Sequence, residues 1–423
     1  MPQDNFIVGL DIGTTKVCAI IAEKNNEGEI EIMGVGESPS HGLQQGVVTN
    51  VEETVEAIST AIEEAEMMAG HRVTGVYVGI AGGHIESHNS KGVIAVNNNG
   101  TREITPRDVD RVIDAATSVT VPPDPSRELI HVIPQEFFVD GQDGILDPVG
   151  MTGVRLEAKV HSVTASLSSA QNLIKSVHKA GYDVEDLVLE PLASSYSVLD
   201  PDEKQLGTCL VDIGGGTSDV AIFKNGSIYD TDVISVGGEH VTSDVMKGLR
   251  TAKQDAEMVK INHGCAISSM VPEDEMIEVP SVGGRDPREM KRHKLCDIVE
   301  ARVEEIFQII NYRIKQSGYG EEITAGMVVT GGASAMQGIP RLAENILDMP
   351  VRLGEPWGVS GLIDVVSNPK YATGVGLILY GFEHFDEASA FGSGSGFGDG
   401  LLQELSERMS NWFRGVGGIF TSS

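Results

Sequence analysis

The sequence predicts an α/β protein made of two similar halves around an interdomain cleft, with smaller subdomains inserted into them. Three observations predict it. An apolar strand ending in Asp11-Ile12-Gly13 and turning through Thr14, Thr15 and Lys16 recurs as an apolar strand ending in Asp212-Ile213-Gly214 and turning through Gly215, Gly216 and Thr217. The copies stand about 200 residues apart, a spacing of domains rather than of neighbouring hairpins. The chain of 423 residues, 40% hydrophobic and 22% charged, has the length for two cores and the composition of an ordinary folded protein.

In order along the chain, residues 6–10 form an apolar strand, the Asp-Ile-Gly turn follows, and 17–22 return as a strand. The spacing of Ile58, Ile62 and Ala65 predicts a helix over Val51–Ala69. Residues 73–81 read as a strand, and at Gly82-Gly83 the character changes. Residues 85–161 carry short strand signals, the turn Asn97-Asn98-Asn99-Gly100 and one helix opened by Thr105-Pro106, a capping residue before a first-turn proline. They read as an inserted subdomain. A strand resumes over 159–166, a helix over 168–179 stops at Gly181, and Leu187-Val188-Leu189-Glu190-Pro191 leads into a helix through residue 199. The second Asp-Ile-Gly hairpin follows, with its return strand over 220–223. Residues 285–294 are locally basic and read as a loop and helix start ahead of a long helix over 295–316. A strand over 327–330 runs into Gly331-Gly332-Ala333-Ser334. Residues 386–400, rich in Gly, Ser and Asp, read as a flexible linker.

A formal net charge of -31 excludes a general basic surface for nucleic acid and opposes anionic lipid, so membrane contact would need a local device. Cys18, Cys209, Cys265 and Cys296 form no Cys-x-x-Cys pair and read as buried thiols of a reducing compartment. The N-terminal residues have neither the basic nor the apolar region of a secretory signal, and no apolar run approaches the ~20 residues that span a bilayer.

Each hairpin makes sense as half of a phosphate site. A tight Gly/Thr turn presents backbone N–H groups and hydroxyls to phosphate oxygens. A carboxylate at the strand end can hold a hydrated Mg2+ beside them. Two such turns facing one another would clamp a polyphosphate.

The pattern resembles the superfamily of actin, sugar kinases and DnaK-type chaperones, the actin-like (ribonuclease H-like) duplicated fold. Residues 6–16 resemble its first phosphate motif and 210–219 its second. Leu189-Glu190-Pro191-Leu192-Ala193-Ser194 and Tyr371-Ala372-Thr373-Gly374-Val375-Gly376 resemble its two connecting helices, and 328–334 its adenosine motif. The resemblance implies ATP with Mg2+. Gly13, Thr14, Thr15 and Lys16 would face the phosphates from one half, and Gly214, Gly215, Gly216 and Thr217 from the other. Asp11 and Asp212 would position Mg2+ through water. Gly237 and Gly238 would lie in a loop close to the nucleotide, Glu257 and Lys260 would reach the ribose, and Gly331, Gly332 and Ala333 would line the adenine slot. Glu190 has two readings, a carboxylate that orients the attacking water and an acid favoured at a helix N-terminus by its dipole.

Within that superfamily the chain resembles the FtsA family of actin-like bacterial division proteins. Leu43-Gln44-Gln45-Gly46-Val47-Val48, His131-Val132-Ile133-Pro134-Gln135-Glu136, Leu192-Ala193-Ser194-Ser195-Tyr196 and Val279-Pro280-Ser281-Val282-Gly283-Gly284-Arg285 carry the resemblance. It implies subdomain 1A from 1–84 with 162–203 and 368–385, subdomain 1C from 85–161, subdomain 2A from 204–226 with 297–367, and subdomain 2B from 227–296. It also implies self-association into filaments, recruitment of late division proteins such as FtsN, and docking of the C-terminal peptide of FtsZ on 2B. Arg285, Arg288, Lys291, Arg292 and Lys294 are candidates for that acidic and apolar peptide, against the plainer reading of a solvated loop. ATP hydrolysis in the family is at most weak. A soluble ATPase or small-molecule kinase of the same superfamily is the alternative, and a chaperone would need a substrate domain after residue 380.

The C-terminal residues bear on that choice. Leu401, Leu405, Met409, Trp412, Val416 and Phe420 keep helical spacing, with Leu402 and Phe413 beside them. A bulky apolar face behind a Gly/Ser linker is the pattern of an interfacial helix, so 401–423 is expected to target the lipid bilayer and hold the protein peripherally at the cytoplasmic face of the inner membrane. Its few basic residues, Arg408 and Arg414, stand against Glu404 and Glu407, so attraction to anionic lipid should be modest.

Overall fold

The computed structural model describes residues 6–25, 27–96, 100–120 and 124–390. The expected linker beyond Ala390 and the C-terminal segment lie outside the described residues.

The duplication is visible in the strand order. In the first half the six-stranded sheet runs Asp183–Leu189, Gly75–Ile80, Phe6–Ile12, Lys16–Lys24, Ile30–Pro39, Ser360–Gly361. In the second the five-stranded sheet runs Ser227–Ile234, Ser218–Lys224, Thr208–Ile213, Met327–Thr330, Val351–Leu353. In both, the strand that ends in Asp-Ile is antiparallel to its return strand and parallel to its other neighbour. These central strands are buried nearly throughout, because helices cover both faces, and so they read as continuous apolar runs. The chain is therefore the duplicated α/β fold that the repeat predicts.

Helix Val51–Ala69 has its expected limits: the Asn50 side chain accepts the N–H groups of Glu52 and Glu53, and Gly70 ends it in the left-handed region. The two connecting helices, Glu190–Val198 and Ala372–Ala390, pack against each other between the halves. The second continues to Ala390, which makes the first residues of the expected linker helical. That helix also covers one face of the first sheet, where Ile7, Cys18 and Ile20 bury against Val375, Ile378 and Phe382.

The insertion has its own antiparallel sheet, ordered Gln142–Ile145, Arg127–Val139, Arg155–Ser166, Glu86–Ala95, backed by helix Pro106–Thr120. The strand expected to resume near 159 begins at Arg155 and continues unbroken through the expected boundary at 161, so insertion and first half share it. Although its chain connections lie in the first half, the insertion bonds to the edge strand of the second. Ser87 Oγ donates to Thr231 O at 2.9 Å, Asn89 Nδ2 to Tyr229 O at 2.8 Å and Gln135 Nε2 to Ile228 O at 3.0 Å. His161, fully buried, contacts Asn89 Oδ1 at 2.7 Å and Thr231 Oγ1 at 2.9 Å. Burial holds its imidazole neutral, down to about 3. All four cysteines are free and buried.

Candidate functional site

The two hairpins close with the same bond. Gly13 N–H donates to Lys16 O at 2.9 Å, and Gly214 N–H to Thr217 O at 3.0 Å. Their tips meet across the space between the halves. A Cβ added at Gly216 would stand 2.6 Å from Thr14 Oγ1, and one at Gly215 would stand 2.6 Å from the Thr15 methyl, so only glycine permits this approach. Between and behind the tips lies a cavity of about 580 Å³. All the residues assigned to the nucleotide line it except Gly237. Gly237 instead packs on the second hairpin, where a Cβ would collide with Gly214 O, Gly215 O and Thr217 O. The helix Gly238–Leu249 is stapled to the same hairpin, with Gly238 N–H on Gly214 O at 2.9 Å and Glu239 N–H on Gly215 O at 2.8 Å.

Charged groups of both signs line the cavity, with Lys260 as buried as Asp11. Asp11, Asp212, Asp219 and Glu190 gather at the floor. Burial pushes Asp212 up to about 6, with Ser194 Oγ at 2.9 Å and Thr373 Oγ1 at 3.3 Å donating to its carboxylate and the Asp11 charge adding to the rise. Burial, then Asp212, push Asp219 up to about 8. Burial followed by Asp11, Asp219 and Asp212 raises Glu190 well above the carboxylate range. Burial also raises Asp11, against the pull of Lys16. Among the described residues no group of three or more His, Cys, Asp or Glu stands at direct metal-ligating spacing. At the rim, Lys16 Nζ donates to Lys370 O at 2.9 Å, and Lys370 Nζ pairs with Glu37 at 3.0 Å. Lys260 Nζ reaches Glu257 at 2.8 Å and Thr242 Oγ1 at 2.9 Å. The residues Gly331, Gly332 and Ala333 line the cavity together with Ile261 and Met336.

The sequence reading passed over Asp219, Lys370 and the two hydroxyls on Asp212. Asp219 had a signal: it closes the second motif, and in the hairpin register it stands opposite Asp212 as Cys18 stands opposite Asp11. Ser194 and Thr373 lie within the two connecting-helix motifs, which was their signal, whereas Lys370, from the far end of the chain, carried none.

The basic cluster differs from expectation. Arg288–Lys291 is a strand, paired antiparallel with Met276–Val279, and the long helix begins at Arg292 and runs to Ser317. Arg285, Arg288 and Lys291 are exposed. Arg292 is not free for a peptide: its guanidinium donates to His263 O at 2.8 Å and to Glu275 at 3.1 Å, and it borders the cavity. That carboxylate offsets the unfavourable placement of cations at a helix N-terminus. Leu401, Leu402, Leu405, Met409, Trp412 and Phe413 lie outside the described residues.

Residues 209–376 match the family model described as cell division protein FtsA, and residues 82–164 match the SHS2 domain inserted in FtsA. The chain is 49% identical to the cell division protein FtsA of Pseudomonas aeruginosa over 97% of its own length and 98% of that protein. It is 42% identical to that of Escherichia coli over 89% of this chain and 90% of that one. Among solved structures, it is similar to a protein of the PilM–PilN type IV pilus biogenesis complex (TM-score 0.64, 15% identity, covering 89% of this chain and 98% of that one). It is also similar to MreB5 of Spiroplasma citri bound to ADP (TM-score 0.56, 14% identity, covering 92% of this chain and all of that one). At these identities the two structures speak to the fold alone, which is actin-like.

Proposed function

Because the chain belongs to the FtsA family of cell division proteins, we propose that it binds ATP between its halves, polymerises on the cytoplasmic face of the inner membrane and tethers FtsZ filaments there. The observation that carries the reading is the pair of facing hairpins, each closed by the same bond, above a floor of four carboxylates. Backbone N–H groups from both tips suit a polyphosphate, and a ligand touching both would add a further link between the halves. Asp219 Oδ1 is buried without a hydrogen-bond partner, so the floor fits a hydrated cation. Asp11 and Asp212 would hold Mg2+ through water, and the ion would neutralise phosphate charge there. Glu190 stands among these carboxylates, where an ionised form could orient water, and turnover is expected to be slow.

The strand pair Met276–Val279 and Arg288–Lys291 and the loop that joins them present Arg285, Arg288 and Lys291, which suit the acidic C-terminal peptide of FtsZ. The insertion is assigned to self-association and to late division proteins such as FtsN. The residues from Leu401 are assigned to the bilayer as a reversible anchor that gains strength by avidity in a filament. Among the described residues no helix is long and apolar enough to cross a membrane, compatible with peripheral attachment.

The test is co-sedimentation with vesicles and ATP, comparing the full chain with one ending at Ala390. The full chain should pellet with the vesicles and the shortened one remain in solution. Equal behaviour of the two would defeat the anchor, and ATP turnover stimulated by a sugar would favour the kinase alternative.

A further inference from the structure

On the face away from the nucleotide lies a larger, more apolar cavity of about 1360 Å³. Three bodies wall it. The insertion supplies Phe137, Leu146 and Val149, the second half supplies Phe223 and Ile228, and the connecting helices supply Leu192, Tyr196 and Tyr380. Leu146 and Val149 sit at the rim, 38% and 43% exposed, apolar surface that a monomer rarely leaves open without use. Charged groups of both signs also line it, Asp110, Asp147 and Glu383 as well as Arg102, Arg107 and Lys204. Arg107 lies at one side, and Lys204 lies deep, its ammonium 4.9 Å from the centre of the Tyr196 ring.

The position of this cavity relative to the chain's end is what identifies an occupant. Its third wall is the last described helix, Ala372–Ala390, through Tyr380, Glu383 and His384. From Glu383 to Ala390 that helix advances only about 10 Å. Residues 391–400, rich in Gly and Ser, can then span up to about 33 Å if extended and can equally double back. The next residues are Leu401, Leu405, Met409, Trp412 and Phe413, a bulky apolar set that water does not favour.

We propose that, away from a membrane, residues 401–414 fold back into this cavity, so that the chain covers its own anchor until a bilayer competes for it. The proposal rests on the anchor reading above. It makes attachment a competition between two apolar hosts, in which only the undocked fraction of the protein is ready for lipid.

The experiment uses the full chain with Trp357→Phe, which leaves Trp412 as its single tryptophan. Trp412 emission is read with and without vesicles of phosphatidylethanolamine and phosphatidylglycerol, in this background and with Val149→Glu or Leu146→Glu added. Both rim positions are partly exposed, so the fold should tolerate the charge. Docking predicts a buried, blue-shifted Trp412 without vesicles that moves to the solvent value in either rim variant. If the docked fraction is about 0.9, the rim variants should bind vesicles about tenfold more tightly. A solvent-exposed Trp412 in the unaltered cavity, or a buried one indifferent to both rim changes, would overturn the proposal. The two readings separate cleanly. An exposed Trp412 that enters vesicles removes docking and keeps the anchor, whereas a rim-sensitive Trp412 that no vesicle captures keeps docking and removes the anchor.

Discussion

Asp219 is where the duplication stops being symmetrical. The first hairpin places Cys18 across from its aspartate, whereas the second places another carboxylate, and that one has an oxygen with no partner. The sequence displays the residue plainly, at the end of the repeated motif. Its consequence was not legible, because the charge beside it comes through strand pairing and not through spacing. Burial and Asp212 raise its carboxyl from 3.8 to about 8. The folded state therefore holds this proton more tightly than the unfolded chain does. Its favourable contribution is complete below about pH 4 and is lost as pH rises to about 8. Asp219→Asn should escape that loss. Without nucleotide or divalent cation, its melting temperature should exceed that of the unaltered protein by a few degrees, about 2–4 °C, at pH 8. The gap should close near pH 4, and ATP binding should weaken. A thermal scan across that range checks it.

The insertion shows the same contrast at the level of elements. Its helix start was legible in Thr105-Pro106, because capping chemistry is local. A third residue holds the start: the buried Asp108 carboxylate accepts from Thr105 N–H at 3.0 Å and Oγ1 at 2.7 Å, and pairs with Arg102 at 2.6 Å. Burial alone would raise this carboxyl, but bonds from Arg102 and Thr105 hold it well below the usual carboxylate range. Stability from such a depressed group is present above about pH 4 and lost as pH falls. Asp108→Ala should cost the insertion about 2–4 kcal/mol at neutral pH, since it strands several donors. The penalty should shrink towards pH 2, and denaturant titration at the two pH values measures it. The basic stretch at 285–294 went the other way. Its composition suggested a loop and a helix start, whereas hairpin pairing with the preceding strand Met276–Val279 makes Arg288–Lys291 a strand, and Arg288-Glu289-Met290-Lys291 carries no apolar–polar alternation to announce it.

For the whole molecule, the repeat alone announced two halves and the cleft between them, because each half needs the same turn for the same chemistry. How the halves are fastened was not legible. Ser87, Asn89, Gln135 and His161 are scattered polar residues in sequence, yet together they tie the insertion to the edge strand Ser227–Ile234 of the opposite half. An edge strand satisfied by side chains is thereby closed to pairing with another chain. Asn89→Ala with Gln135→Ala should loosen it. Loss of about 1–2 kcal/mol of hydrogen bonding would raise amide hydrogen exchange along Ser227–Ile234 roughly tenfold. Exchange in the buried strand Thr208–Ile213 should not change, and mass-resolved exchange of the two peptides separates the cases.

The helix Ala372–Ala390 covers a face of a sheet whose first strand begins at Phe6. During synthesis at about 5–20 residues per second, roughly 20–70 s separate the emergence of that strand from that of its cover. Through that interval Ile7, Cys18 and Ile20 have nothing to bury against on that side. The second sheet, by contrast, has all its strands between Thr208 and Leu353 and can be complete before the chain leaves the ribosome. The half begun first is the half finished last, and a nascent chain of this protein spends most of its translation with that apolar face open.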